Sequence, residues 1–157
     1  MAKRPVKPGK TAKVSLRNVT RKNLVPIMNL SVSESQKKFV ANNAKSIAQG
    51  CFNSKAWFRA IYADDTPVGF AMLHEDRRKG NYYLWRFMID ENFQGKGYGA
   101  KALALIIERV RKSPKAKEMT LSFVRAKGGP EKFYQKFGFV DTGKIEWGEH
   151  VARLKFE

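Results

Sequence analysis

The sequence predicts one mixed α/β domain of order β-α-α-β-β-β-α-β-α-β-β, and three observations predict it. The chain has 157 residues, the length of one ordinary domain. Its 43% apolar content, with eleven Phe, five Tyr and three Trp, supplies a packed core and excludes wholesale disorder. The apolar period also switches along the chain, from about two residues to about 3.6 and back, which interleaves strands with helices.

Each element follows from its local pattern. Val14-Ser15-Leu16-Arg17 alternates apolar and polar as a short strand does. Thr20 is the expected cap of a helix running to about Leu30, and Ser33 of a second running to about Gly50. Phe39, Val40, Ile47 and Cys51 would form the apolar face of that second helix, making Cys51 a core residue. Trp57 to Tyr62 and Val68 to Leu73 are strands joined by the turn Asp64-Asp65-Thr66-Pro67, which makes them a hairpin. After a turn at Arg77 to Asn81, Tyr82 to Ile89 is a nearly unbroken apolar run, as a central strand covered on both faces requires. Ala102, Leu103, Leu105, Ile106, Ile107 and Val110 then follow helical spacing up to Ser113-Pro114. Met119 to Val124 is a strand. Pro130, Glu131 and Gly138 suit the start, first turn and exit of a short helix. Phe139-Val140 and His150 to Phe156 complete the pattern around a turn at Trp147-Gly148.

Charge is the most lopsided property of the chain. Lys and Arg number 31 against 14 Asp and Glu, a net charge of +17. Eight of the bases and none of the acids fall in residues 1–22. Residues 1–12, with Pro5, Pro8 and Gly9 and little apolar content, read as a basic flexible tail, leaving 13–157 as the domain. Such a tail suits weak contact with nucleic acid or serves only as a solubilising arm. No run approaches about 18 uncharged apolar residues, so no membrane span is expected. No apolar segment follows the basic start, and the single Cys51 excludes an intramolecular disulfide framework; both fit a cytoplasmic protein. Two isolated histidines, His74 and His150, give no metal-ligand spacing, so no metal is expected.

The chemistry concentrates in Asp90-Glu91-Asn92-Phe93-Gln94-Gly95-Lys96-Gly97-Tyr98-Gly99, between the buried strand and the long helix. Glycines at 95, 97 and 99 permit positive φ and close approach of a ligand to the backbone. The helix that begins there points unpaired N–H groups and a partial positive charge outward, a pocket for pyrophosphate. The loop lacks the Lys-Ser/Thr end of a P-loop, and its glycines are not spaced as in the dinucleotide fingerprint.

Gln94-x-x-Gly97-x-Gly99 matches instead the Gln/Arg-x-x-Gly-x-Gly/Ala signature of the GNAT superfamily of N-acetyltransferases, and Tyr134-x-x-x-Gly138-Phe139 matches its second motif. The chain resembles that superfamily over about residues 14–157. Tyr82 to Asp90, Gly128-Gly129-Pro130-Glu131, Thr142-Gly143 and Gly148-Glu149 are similar to its bacterial spermine/spermidine or diamine acetyltransferase branch. The resemblance implies a mostly antiparallel sheet of six to seven strands flanked by about four helices. It implies acetyl-CoA as cosubstrate, lying across the splayed end of the strand holding Phe87, Met88 and Ile89. There the backbone bonds the pantetheine, and an N–H near Ile89 polarises the acetyl carbonyl. Gln94, Gly95, Lys96, Gly97, Tyr98, Gly99 and Ala100 would hold the pyrophosphate, and Tyr134 would protonate the departing thiolate. The acceptor partner is then the primary amine of a small molecule, with a polyamine or diamine the branch's own suggestion. A homodimer is common in the superfamily.

Several residues keep two readings. Asp90, Glu91, Glu146 and Glu149 are the carboxylates nearest the inferred site, each a candidate base or a solvated charge. Arg86 is structural or substrate-facing. Lys127 stands where the superfamily's commonest version has an Asn, and either meets a CoA phosphate or is a solvated loop lysine. The charge weighs against polyamines, because a +17 chain repels a polycation at long range. An amino-acid-like or antibiotic amine is the enzymatic alternative, and a basic nucleic-acid or ribosome-associated module the non-enzymatic one.

Overall fold

The computed structural model describes residues 6–157, so Lys3, Arg4 and Pro5 of the expected tail lie outside the described residues. These residues form β1 (Val14–Arg17), α1 (Leu24–Asn29), α2 (Asn43–Cys51), β2 (Ala56–Ala63), β3 (Thr66–Asp76) and β4 (Asn81–Ile89). Then come α3 (Tyr98–Arg111), β5 (Glu118–Phe123), α4 (Glu131–Gln135), β6 (Val140–Glu146) and β7 (Glu149–Lys155). The order of elements is the one predicted. Single 3₁₀ turns at Glu34–Gln36 and Glu91–Phe93 are additional.

The strands make one seven-stranded sheet in the order β1-β2-β3-β4-β5-β7-β6. All neighbours are antiparallel except β4 and β5. Alternation along β3 supplies both faces: Ala71 and Leu73 pack under α3, whereas Phe70 and Met72 pack under α1 and α2. On α3 the buried residues are Tyr98, Ala102, Leu103, Ile106, Ile107 and Val110, the predicted stripe begun one turn earlier but without Leu105, which is exposed on the opposite side.

The segment between β1 and β2 differs from the prediction. Thr20 does not cap α1; its N–H donates to Asn23 Oδ1 at 2.6 Å, and the helix begins only at Leu24. Ser33 does begin helical structure, through a capping box with Gln36, but for one 3₁₀ turn. Asn42 then caps α2 separately, its Oδ1 accepting from the Lys45 N–H at 2.8 Å. Phe39 and Val40 therefore lie in the connection, not on a helix face. Cys51 is exposed, which corrects the expectation of a core residue. The buried face of α2 is Asn43, Ser46, Ile47 and Gly50, and Cys51 falls at its rim in the last turn. Gly50 allows the close approach: a Cβ there would stand 2.8 Å from the Phe58 ring.

Candidate active site

The site starts from a defect in the sheet. The β3–β4 register shifts between Met72 and Leu73, placing an extra residue, Trp85, in β4. The parallel ladder to β5 holds only at Tyr83↔Thr120 and Leu84↔Leu121. Beyond Leu84 the two strands diverge, so the β5-facing backbone groups of β4 have no strand partner and face a cavity of about 870 Å³. A hydrogen bond between the hydroxyls of Tyr83 and Ser122 closes the apex of the opening.

The loop below it is built as a cradle. Phe87, Met88 and Ile89 line the cavity from β4, and Gln94, Gly95, Gly97, Tyr98, Gly99 and Ala100 line it from the loop and the first turn of α3. Gly95 and Gly97 have φ of +78° and +82°, and a Cβ on either would meet nothing within 4 Å. Backbone conformation, not crowding, therefore requires glycine at both positions. The predicted residues divide by role. The Gln94 side chain braces the loop, donating to Ile89 O at 2.8 Å and to Gln36 Oε1 at 2.9 Å. Lys96 turns its ammonium onto Pro8 O at 3.3 Å and is absent from the cavity wall. The phenol of Tyr98 points into the interior, where its one O–H is shared between the carbonyls of Pro8 and Gly9. What this loop offers an anion is the set of first-turn N–H groups of α3.

Tyr134 lines the same cavity from α4. Its ring is nested edge-on between Phe133, 5.4 Å away, and Phe139, 5.9 Å away, while Phe133 stacks on Phe87. Burial, reinforced by the nearby Tyr83 phenol, pushes the Tyr134 phenol well above the ordinary tyrosine range. The hydroxyl thus stays protonated at neutral pH and can donate. A folded-state value above the unfolded one means that the stabilisation is complete below the unfolded tyrosine value of about 10. It is lost as pH rises through the folded value. Thermal melting should therefore decline above about pH 10, and the decline should be smaller in Tyr134→Phe.

The carboxylates separate clearly. Asp90 is buried and fully engaged, accepting from the N–H groups of Ser31 at 2.8 Å and Asn92 at 2.9 Å, so it shapes the β4–loop junction. Glu91 and Glu146 are exposed and off the cavity wall. Glu149 lines the wall, and its charge acts on both Tyr83 and Arg86. Arg86 lines it too, bonded only to neutral oxygens, Trp85 O at 3.0 Å and Gln49 Oε1 at 3.2 Å. Its Nε is buried without a partner among the described residues. Lys127 is exposed and off the wall, whereas Gly128 and Gly129 are part of it. Sequence reasoning missed Lys37, Lys38, Phe39 and Val40, which close the cavity from the connection before α2. The apolar pair Phe39-Val40 was the available signal, read there as a helix face.

A family model, "Acetyltransferase (GNAT) family", matches residues 27–139, which include the whole splay, the loop and α4. The chain belongs to the GNAT acetyltransferase family. As a GNAT protein it is 32% identical over 150 residues to a spermine/spermidine N(1)-acetyltransferase of Bacillus subtilis, covering 90% of this chain and 97% of that protein. Among solved structures, a GNAT acetyltransferase from Elizabethkingia anophelis with acetyl-CoA bound superposes with a TM-score of 0.65 at 14% identity, covering 91% of this chain and 98% of that one. The PaiA N-acetyltransferase of Thermoplasma acidophilum, in complex with coenzyme A, superposes with a TM-score of 0.67 at 18% identity, covering 92% and 99%. At these identities the structures establish the GNAT fold. No helix among the described residues is long and apolar enough to cross a membrane.

Proposed function

We propose that this GNAT protein transfers the acetyl group of acetyl-CoA directly to the primary amine of a small molecule. The observation that carries the reading is the divergence of β4 from β5 directly above the N-terminus of α3, with Tyr134 in the same wall. An unpaired strand edge suits an amide-bearing arm such as pantetheine, and a helix N-terminus behind left-handed glycines suits a diphosphate. Acetyl-CoA supplies an activated thioester carbonyl. The chain's residues do the rest. Backbone N–H groups of β4 near Ile89 stabilise charge developing on the carbonyl oxygen. Glu149 takes the proton that the amine must shed before or during attack, and Tyr134 gives one to the sulfur as the carbon–sulfur bond breaks. Glu149→Gln should lower the rate at neutral pH by about tenfold to a hundredfold and recover part of it at higher pH, where the free amine is more abundant. A rate deficit independent of pH would remove Glu149 from the proton path.

For the acceptor, the relatives' names suggest a polyamine. Arg86 favours a second reading. A half-buried guanidinium with no carboxylate within ion-pair distance among the described residues, and with an orphaned Nε, suits an acceptor that carries an anionic group beside its amine. Lys38 on the same wall adds positive charge near Glu149, whereas the Lys37 ammonium there is paired with the Glu34 carboxylate. Thiol release from acetyl-CoA, measured with putrescine and spermidine against ornithine and lysine, separates the two. Preference for the amino acids, abolished by Arg86→Gln, supports the anionic acceptor; preference for the polyamines, unaffected by Arg86→Gln, supports the polyamine.

A further inference from the structure

The loop Gly95–Gly97 is held by few contacts of its own, the Lys96 ammonium on Pro8 O and Gly97 O accepting from the Lys101 N–H. Two of its residues are glycines in the left-handed region, facing open space, and glycine loses more backbone freedom on ordering than any other residue. Most of its order comes from the residues on either side. On the strand side, Gln94 is tied to Ile89 O and Gln36. On the helix side, Tyr98 is only 1% exposed, its ring is in the main core, and its hydroxyl lies 2.7 Å from both Pro8 O and Gly9 O.

These carbonyls belong to the segment that the sequence presents as tail. Pro8 and Ala12 are buried, and the Ala12 N–H donates back to Gly9 O at 3.2 Å. Lys101 reaches from α3 to Lys10 O at 3.0 Å and Ala12 O at 3.4 Å, and Lys96 reaches Pro8 O. The far end is fixed at the β2–β3 turn, where Lys13 and Asp64 exchange two hydrogen bonds, Asp64 N to Lys13 O at 2.8 Å and Lys13 N to Asp64 Oδ1 at 3.0 Å. The segment therefore accepts hydrogen bonds from three side chains, each within one turn of the α3 N-terminus. All of its acceptors are backbone oxygens.

We propose that Pro8–Ala12 is a clasp that preorganises the Gly95–Ala100 cradle for the diphosphate of CoA, with Tyr98 as the positioning residue through which it acts. The proposal rests on the reading of that cradle as the cofactor site. Ordering the loop in advance removes an entropic cost that binding would otherwise meet, so the clasp acts on affinity for CoA. Burial pushes the Tyr98 phenol above its ordinary range, which keeps the hydroxyl a donor to the clasp.

A double-mutant cycle tests it, using the full chain, a chain lacking residues 1–9, Tyr98→Phe, and the combination. CoA is titrated calorimetrically, and amide hydrogen exchange is followed in the loop and in residues 102–110 of α3. The clasp predicts that each single change raises the Kd for CoA about tenfold by loss of preorganisation. It also predicts that the combination is within about twofold of the worse single change, because both break one contact. Loop amides should exchange about tenfold faster in either variant, with residues 102–110 unchanged. Tyr98→Phe keeps the ring in the core, so it reports even if the shortened chain folds poorly. Support of the fold alone would lower the melting temperature and the fraction of binding-competent protein while leaving Kd unmoved. Unchanged Kd, or effects that simply add, would overturn the clasp. If the full chain itself does not bind CoA, the proposed function fails, and the exchange rates still decide: equal loop exchange in all four proteins overturns the clasp, and faster loop exchange in the variants sustains it.

Discussion

Tyr134→Phe is expected to lower turnover by about a hundredfold or more, the range associated with loss of a proton-transfer group. The substitution removes one oxygen from a ring held by Phe133 and Phe139, so the aromatic nest and α4 remain intact. Binding of CoA should change little, because the cradle is made of a different segment, the loop before α3, and offers backbone groups that the substitution leaves in place. A large fall in kcat with preserved CoA affinity and a preserved melting temperature below about pH 10 therefore assigns the hydroxyl to the chemical step. A rate within a few-fold of the parent protein would mean that a water molecule protonates the sulfur and that Tyr134 is a core aromatic.

Gly97→Asp should weaken CoA binding by about a hundredfold, from two separable causes. A side chain at φ +82° is strained by about 1 kcal/mol or more, and the strain falls on the residue that caps α3. A carboxylate at the mouth of the anion cradle also repels the diphosphate it should receive. Gly97→Ala separates the two, since a Cβ at this position touches nothing within 4 Å. Alanine should cost about tenfold, from backbone strain alone, and aspartate the remainder, with that remainder shrinking at high salt. Equal affinity in all three proteins would mean that the diphosphate does not sit at this helix end.

Much of this was legible in the sequence because it depends on local constraints. Strand β4 shows as an apolar run, α3 as a helical stripe, and the cradle as glycines between them, since each requires particular residue types at a particular spacing. Tyr134 was legible only by the motif: composition alone cannot distinguish a cavity-lining phenol from a core one. The illegible parts are those made by tertiary partners. The break before α2 comes from Asn42 competing as a cap, and it turns Phe39 and Val40 from a helix face into a cavity wall. Gln94, which the motif assigns to phosphate, spends its side chain on Ile89 O and Gln36. The contacts of Pro8 to Ala12 with α3 use main-chain carbonyls, which every residue has, so no side-chain pattern announces them. Among the four candidate carboxylates, only folding shows that Asp90 is occupied by backbone N–H groups while Glu149 faces the cavity.

Direct transfer is the central claim, and product stoichiometry tests it most directly. The protein is incubated with acetyl-CoA and a primary amine from the panel, and free thiol, N-acetylated amine and protein-bound acetyl are quantified together. Direct transfer predicts thiol and N-acetylated amine in equal amounts, both dependent on the amine, with no acetyl retained on the exposed Cys51 or elsewhere on the chain. Thiol released without an acetylated amine, or an acetyl-protein species that forms and decays at the rate of turnover, would contradict it.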